Sequence, residues 1–169
     1  MERRALSPGG IFRPGMRGYF IPLVAGVVLT ISAFLAWVVV DGVVRKGMPD
    51  LTGLWIAGLG VLSAVLAMLS LVTRKNSRHP LLVVGLMALA IMLLVWRVMP
   101  RLAGEQALTV SQAVAIVEDA PAAAAPATLV GSGIYVGLAA AAILVGFGLT
   151  IVVRRAAQPY VIAEPDDDT

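Results

Sequence analysis

The sequence predicts an all-α membrane protein of four transmembrane helices, built as two hairpins with both termini in the cytoplasm. Three observations predict it. Hydrophobic residues make up 59% of the 169 and charged residues only 14%, against roughly 45–50% and about 25% in ordinary globular domains. The mean hydropathy is +0.92. Four long apolar runs, at 19–40, 51–72, 80–99 and 131–153, carry no charge except Arg97 near the end of the third. Each is long enough to cross a hydrocarbon core of about 30 Å. Finally, Lys and Arg collect between and beyond these runs, above all in the turn Thr73-Arg74-Lys75-Asn76-Ser77-Arg78-His79-Pro80.

Residues 1–18 hold Arg3, Arg4, Arg13 and Arg17 among helix-breaking Pro8, Gly9, Gly10, Pro14 and Gly15. They read as a basic cytoplasmic arm. A secretory signal peptide fits poorly, because the apolar run that follows is too long and lacks a small-residue cleavage site. The first span, 19–40, has Pro22 in its first turn, where a missing N–H costs little, and ends at Asp41. A link too short to form a domain leads to the second span. Pro80 suits the start of the third, and Arg97 can reach the headgroups by snorkelling.

Residues 100–130 form the one substantial loop, expected on the outer side. Apolar residues at 110, 113, 114 and 117 have helical spacing and predict a short interfacial helix over 108–117. Ala and Pro dominate 120–127, which reads as an extended spacer. After the fourth span, 154–169 forms a cytoplasmic tail with an acidic end at 164–168 that could dock a basic surface.

Charge asymmetry sets the expected orientation. The arm, the central turn (Arg74, Lys75, Arg78) and the pair Arg154–Arg155 hold nine cations, and Arg45, Lys46, Arg97 and Arg101 make four on the other side. The positive-inside rule then puts the termini in the cytoplasm. Trp37, Trp55, Trp96 and Tyr135 would form one aromatic belt at the outer interface. The basic balance thus has a membrane explanation, and nucleic acid is not an expected partner.

No ionisable residue lies in the middle of a span. Such residues mark ion pathways and proton relays, so coupled transport and intramembrane hydrolysis are disfavoured and no catalytic activity is expected. Thr30, Ser32 and Ser63 lie at depth but can bond to their own helices. The chain has no cysteine and one histidine, His79 in the basic turn, so neither a metal site nor a cofactor is expected. Asp41 and Arg97 share the outer boundary and could pair there.

The fourth span carries the sharpest pattern. Gly133 and Gly137 form a GxxxG, continued at helical spacing by Ala141 and Gly148. A weaker small-residue series, Gly53, Ala57, Gly60, Ala64 and Ala67, runs along the second span. Small residues let helix backbones approach closely, whether within the bundle or against another membrane subunit.

The stretches Ser32-Ala33-Phe34-Leu35-Ala36-Trp37, Leu51-Thr52-Gly53-Leu54-Trp55, Trp96-Arg97-Val98 and Val130-Gly131-Ser132-Gly133-Ile134-Tyr135-Val136, closed by Arg154-Arg155, lie in a layout that resembles small four-helix bacterial membrane proteins of high-GC lineages. That resemblance implies the bacterial inner membrane and carries over no site residues. Claudin-like proteins also carry Gly-Leu-Trp, but in a long first loop with a cysteine pair, and this chain has neither. The expected function is that of a non-catalytic accessory or scaffold subunit of a larger membrane complex, touching lipids and other integral subunits. A small oligomeric transporter or channel, or a lipid-, quinone- or pigment-contacting protein, are the alternatives.

Overall fold

The computed structural model describes residues 17–73, 78–119, 121 and 127–156. The protein is mostly helical. A 3-10 turn at Arg17–Tyr19 leads into α1 (Phe20–Ser32), followed by β1 (Ala36–Val40), β2 (Val43–Lys46), α2 (Leu51–Thr73), α3 (Arg78–Glu118), β3 (Thr128–Val130) and α4 (Ser132–Ala156). Helices α2, α3 and α4 are long and apolar enough to cross a membrane, whereas α1 is a shorter apolar helix. In the bundle α1 packs against α2 and α4, and α3 against α4 and α2. The core runs through the bundle along Leu29, Ile56, Ala88, Met92, Ile134, Ala141 and Leu144.

Two features correct the all-helical expectation. The first span does not continue as a helix to residue 40. It stops at Ser32, and β1 and β2 form a hairpin whose other side is joined by β3, giving the antiparallel order β2-β1-β3. The reason is local. Val38, Val39, Val40, Val43 and Val44 are β-branched and stiff at χ1, which favours strands. Between them sits Asp41-Gly42, with φ of 48° and 79°. Two central residues with positive φ make the tight turn whose twist matches a hairpin, and Asp-Gly is among its strongest signals. Apolarity alone cannot tell such a strand from the end of a helix.

The register of β1 on β2 slips between Ala36 and Val38. The extra residue is Trp37. A regular strand would turn Trp37 and Val38 to opposite faces, whereas both are fully buried here. A bulge has this effect, because it re-aims one side chain and bends the strand. The Trp37 Nε1–H donates to the Ser32 carbonyl at 2.8 Å, tying the strand back to the end of α1.

The second correction concerns α3. Its 41 residues include Pro100 and carry the helix on to Glu118. The stretch 108–117 is helical, but as the continuation of α3 rather than a separate interfacial helix. Pro100 removes one backbone donor. The residues after it, rich in Ala, Leu, Glu and Gln, are strong helix formers. Buried Ala103 and partly buried Ala107 belong to the core, and a Cβ built on Gly104 would sit 3.2 Å from Thr128 Cγ2 of β3. Asp119, at φ 48°, ends the helix in the left-handed conformation common at helix C-termini.

Helices α1 and α2 touch backbone to backbone at Gly26 and Gly60. A Cβ on Gly26 would lie 2.7 Å from the Ala64 nitrogen and 2.8 Å from the Gly60 oxygen, and one on Gly60 would lie 2.7 Å from the Thr30 nitrogen. Backbone cannot step aside as a flexible side chain can. Gly26→Ala should therefore destabilise the fold by about 1–3 kcal/mol, measured by unfolding in mixed detergent micelles. Gly58→Ala, with nothing within 4 Å, should be neutral or slightly stabilising by helix propensity.

Candidate functional site

Hydroxyls buried in the bundle are the first place to look for a polar path. Each is satisfied on its own helix. Thr30 Oγ1 donates to Gly26 O at 3.0 Å, Ser32 Oγ to Leu29 O at 2.6 Å, and Ser63 Oγ to Gly60 O at 2.9 Å. Ser70, buried towards the far end of α2, donates to Leu66 O at 2.9 Å. A hydroxyl held this way costs little to bury and offers a passing solute little. Among the described residues, no group of three or more His, Cys, Asp or Glu could hold a metal ion.

Four small residues of α4, Gly133, Gly137, Ala141 and Gly148, face into the chain. A Cβ on Gly133 would meet Trp37 Cδ1 at 2.7 Å and Ala36 O at 2.9 Å. On Gly137 it would meet the end of the Met92 side chain and Ser32 Oγ, the latter at 2.9 Å; on Gly148 it would meet Leu82 Cβ at 2.6 Å. Ala141 is fully buried. On α2, Gly60 and Ala64 meet α1 at the crossing described above. Its partner there, Gly26, is an isolated glycine in α1, and nothing in the sequence pattern singles it out.

The remaining candidates are scattered. Asp41 is exposed in the hairpin turn and Arg97 is exposed on α3; no ion pair joins them among the described residues. Arg74 and Lys75 lie outside the described residues, as does the acidic end of the tail. Arg78 opens α3, and Arg154 and Arg155 fall near the end of α4. His79 is exposed beside Arg78. Trp55, Trp96 and Tyr135 are exposed as a belt would require, but Trp37 is 0% exposed and belongs to the interior.

Two grooves among the described residues are apolar. A groove of about 540 Å³ runs between α1 and α4, lined by Phe20, Val24, Val28, Val136, Ala139 and Ile143 among others. A smaller one of about 390 Å³ lies along α2 from Leu51 to Leu62, over Gly58. Beyond the bundle, α3 exposes Val110, Val114, Ile116 and Val117, the last two 82% and 85% accessible. Comparison with protein-family models, curated proteins and solved structures finds no match to this chain.

The α4 contacts order the cost of adding a methyl group. Gly133→Ala meets an indole and a backbone oxygen, and Gly148→Ala meets the root of Leu82, so each should lose about 1–3 kcal/mol. Gly137→Ala meets the end of the Met92 side chain and the rotatable Ser32 hydroxyl rather than backbone, so it should cost less than either, about 1 kcal/mol. Ser63→Ala removes only a bond within its own helix and should change stability by less than about 1 kcal/mol. Unfolding of the four variants in one detergent mixture checks the ranking.

Proposed function

We propose that this protein is a non-catalytic accessory or scaffold subunit of a larger complex in the bacterial inner membrane, with both termini in the cytoplasm. The observation that carries this reading is the outer part of α3. At 1.5 Å per residue its 41 residues reach about 60 Å, roughly twice the hydrocarbon thickness. Its apolar half, up to Trp96, fills the membrane in this reading. Arg97, Arg101 and Glu105 then mark the exit, and the rest stands in water.

Exposed apolar side chains mean different things on the two halves. In the lower half they meet lipid and need no partner. In the upper half Val110, Val114 and Val117 recur at helical spacing in water, and such a stripe marks a contact with another protein. The small-residue faces are engaged within the chain, so the partner is met by the α3 extension rather than by the Gly133–Gly137 face. Buried hydroxyls bonded to their own helices speak against a solute path through the bundle.

The test is purification of a tagged full-length chain in mild detergent, followed by mass spectrometry of what comes with it. Stoichiometric recovery of an integral membrane complex is expected. The double substitution Ile116→Glu/Val117→Glu should reduce that recovery at least tenfold while leaving helix content unchanged. A monomer or homo-oligomer with no partner would overturn the reading and make small-solute transport the next activity to assay.

A further inference from the structure

We propose that the open edge of β2 takes an acidic extended segment of a partner protein as a fourth strand of the sheet. The inference concerns a different surface from the α3 contact above and does not depend on it. In the order β2-β1-β3, β1 is paired on both sides and β2 on one. The register shows which main-chain groups are left over. The Asp41 N–H donates to the Ala127 carbonyl at 3.0 Å. Bonds along an antiparallel strand alternate from side to side, so Asp41 and Val39 turn their main chain towards β3. Val38 and Val40 therefore bond to β2, where they face Arg45 and Val43. Between those two, Val44 turns its N–H and C=O away from β1, onto the open edge. All four residues of β2 are exposed.

Main-chain groups in this arrangement are matched by another strand, and charge decides which kind. Arg45 and Lys46 close β2 as exposed cations, and no ion pair holds either among the described residues. The acids nearest in sequence, Asp41 and Asp50, fall outside the strand, beyond its two ends. Cations on an edge strand deter pairing with a like edge. Joining two β2 edges would crowd two such pairs of cations onto two short strands, which disfavours a second copy. The same cations attract an acidic strand. Successive residues of a strand point to opposite faces, so Arg45 and Lys46 together call for two adjacent acids on the partner. Val44 shares a face with its direct neighbours across the sheet, Val39 and Leu129. Val44 and Leu129 are exposed, and an apolar residue opposite Val44 would extend this row by one strand. The segment that fits carries two adjacent acids beside an apolar residue. Its main chain supplies affinity and its side chains supply selection, as in strand addition elsewhere.

The experiment uses the full chain in detergent and two end-blocked peptides rich in valine and threonine. One carries two adjacent glutamates, and the other carries lysines in their place. Binding is read by fluorescence anisotropy of the labelled peptide and by hydrogen exchange at the Val44 amide. The glutamate peptide is expected to bind about tenfold tighter than the lysine peptide at low salt and to slow exchange at Val44. Arg45→Gln/Lys46→Gln should abolish most of that preference. Val44→Pro removes the outward N–H without touching the bonds to β1, so the fold should be kept and the peptide lost. Where that variant does not fold, the peptide tests the same bonds from its own side. Of two N-methylated versions, blocked along one edge or the other, one should lose binding and the other keep it. Equal binding of the glutamate and lysine peptides would overturn the inference, as would binding of neither. Binding that survives N-methylation along either edge would also overturn it, leaving a charge contact without a strand. A Val44 amide protected in the free chain in proportion to protein concentration would assign the edge to a second copy instead.

Discussion

Trp37 holds the sheet end of this protein together, and much of the rest follows from making room for it. Its indole is fully buried and donates to the last carbonyl of α1. To reach that position it needs the bulge in β1, which brings Trp37 and Val38 inward together. It also needs glycines on both sides. A Cβ on Gly47 would fall 2.6 Å from Trp37 Cζ2, and one on Gly133 would fall 2.7 Å from Cδ1. Gly131 lies so close to Ala36 and Trp37 that its N–H donates to the Trp37 carbonyl at 2.7 Å. One side chain thus sets the end of α1, the path of the hairpin and the start of α4.

The same constraint accounts for the use of small residues elsewhere. Helices long and apolar enough to cross a membrane would find no hydrophobic drive between them in lipid; close packing must then supply the attraction, and glycine permits the closest approach. Gly26 with Gly60, Gly85 with Leu144, and Gly148 with Leu82 each bring two helices into near-backbone contact. With these faces engaged inside the chain, the apolar surfaces left open among the described residues include the two grooves and the stretch of α3 from Val110 to Val117. The groove between α1 and α4 is lined by apolar side chains alone, whereas the outer stretch of α3 carries a valine stripe on an exposed helix.

Helix content and the apolar character of the bundle were legible in the sequence because they depend on composition and segment length. The hairpin is hidden from hydropathy and segment length, which treat an apolar strand and an apolar helix alike. The run 19–40 is uncharged, yet its second part is a valine series leading to Asp41-Gly42, a signal that hydropathy does not weigh. The continuation of α3 through Pro100, where a loop was expected, has a related reason: one absent donor does not outweigh the helix formers that follow it and the packing of Ala103. The GxxxG at Gly133 was visible, but its partner was not. Nothing in the spacing says that a tryptophan nearly a hundred residues earlier fills the space it leaves. Gly26 stands alone in α1, so its contact with Gly60 becomes visible only in three dimensions.

The most direct test of this account is the environment of Trp37, measured in a variant whose other two tryptophans are replaced, Trp55→Phe/Trp96→Phe. In bilayers, the account predicts that its fluorescence is quenched neither by aqueous acrylamide nor by brominated lipid, because the indole is enclosed by protein on every side. Strong quenching by brominated lipid would place Trp37 in an interfacial belt, as a continuous first transmembrane helix would. That result would contradict the bulged strand, the glycine enclosure and the packing derived from them.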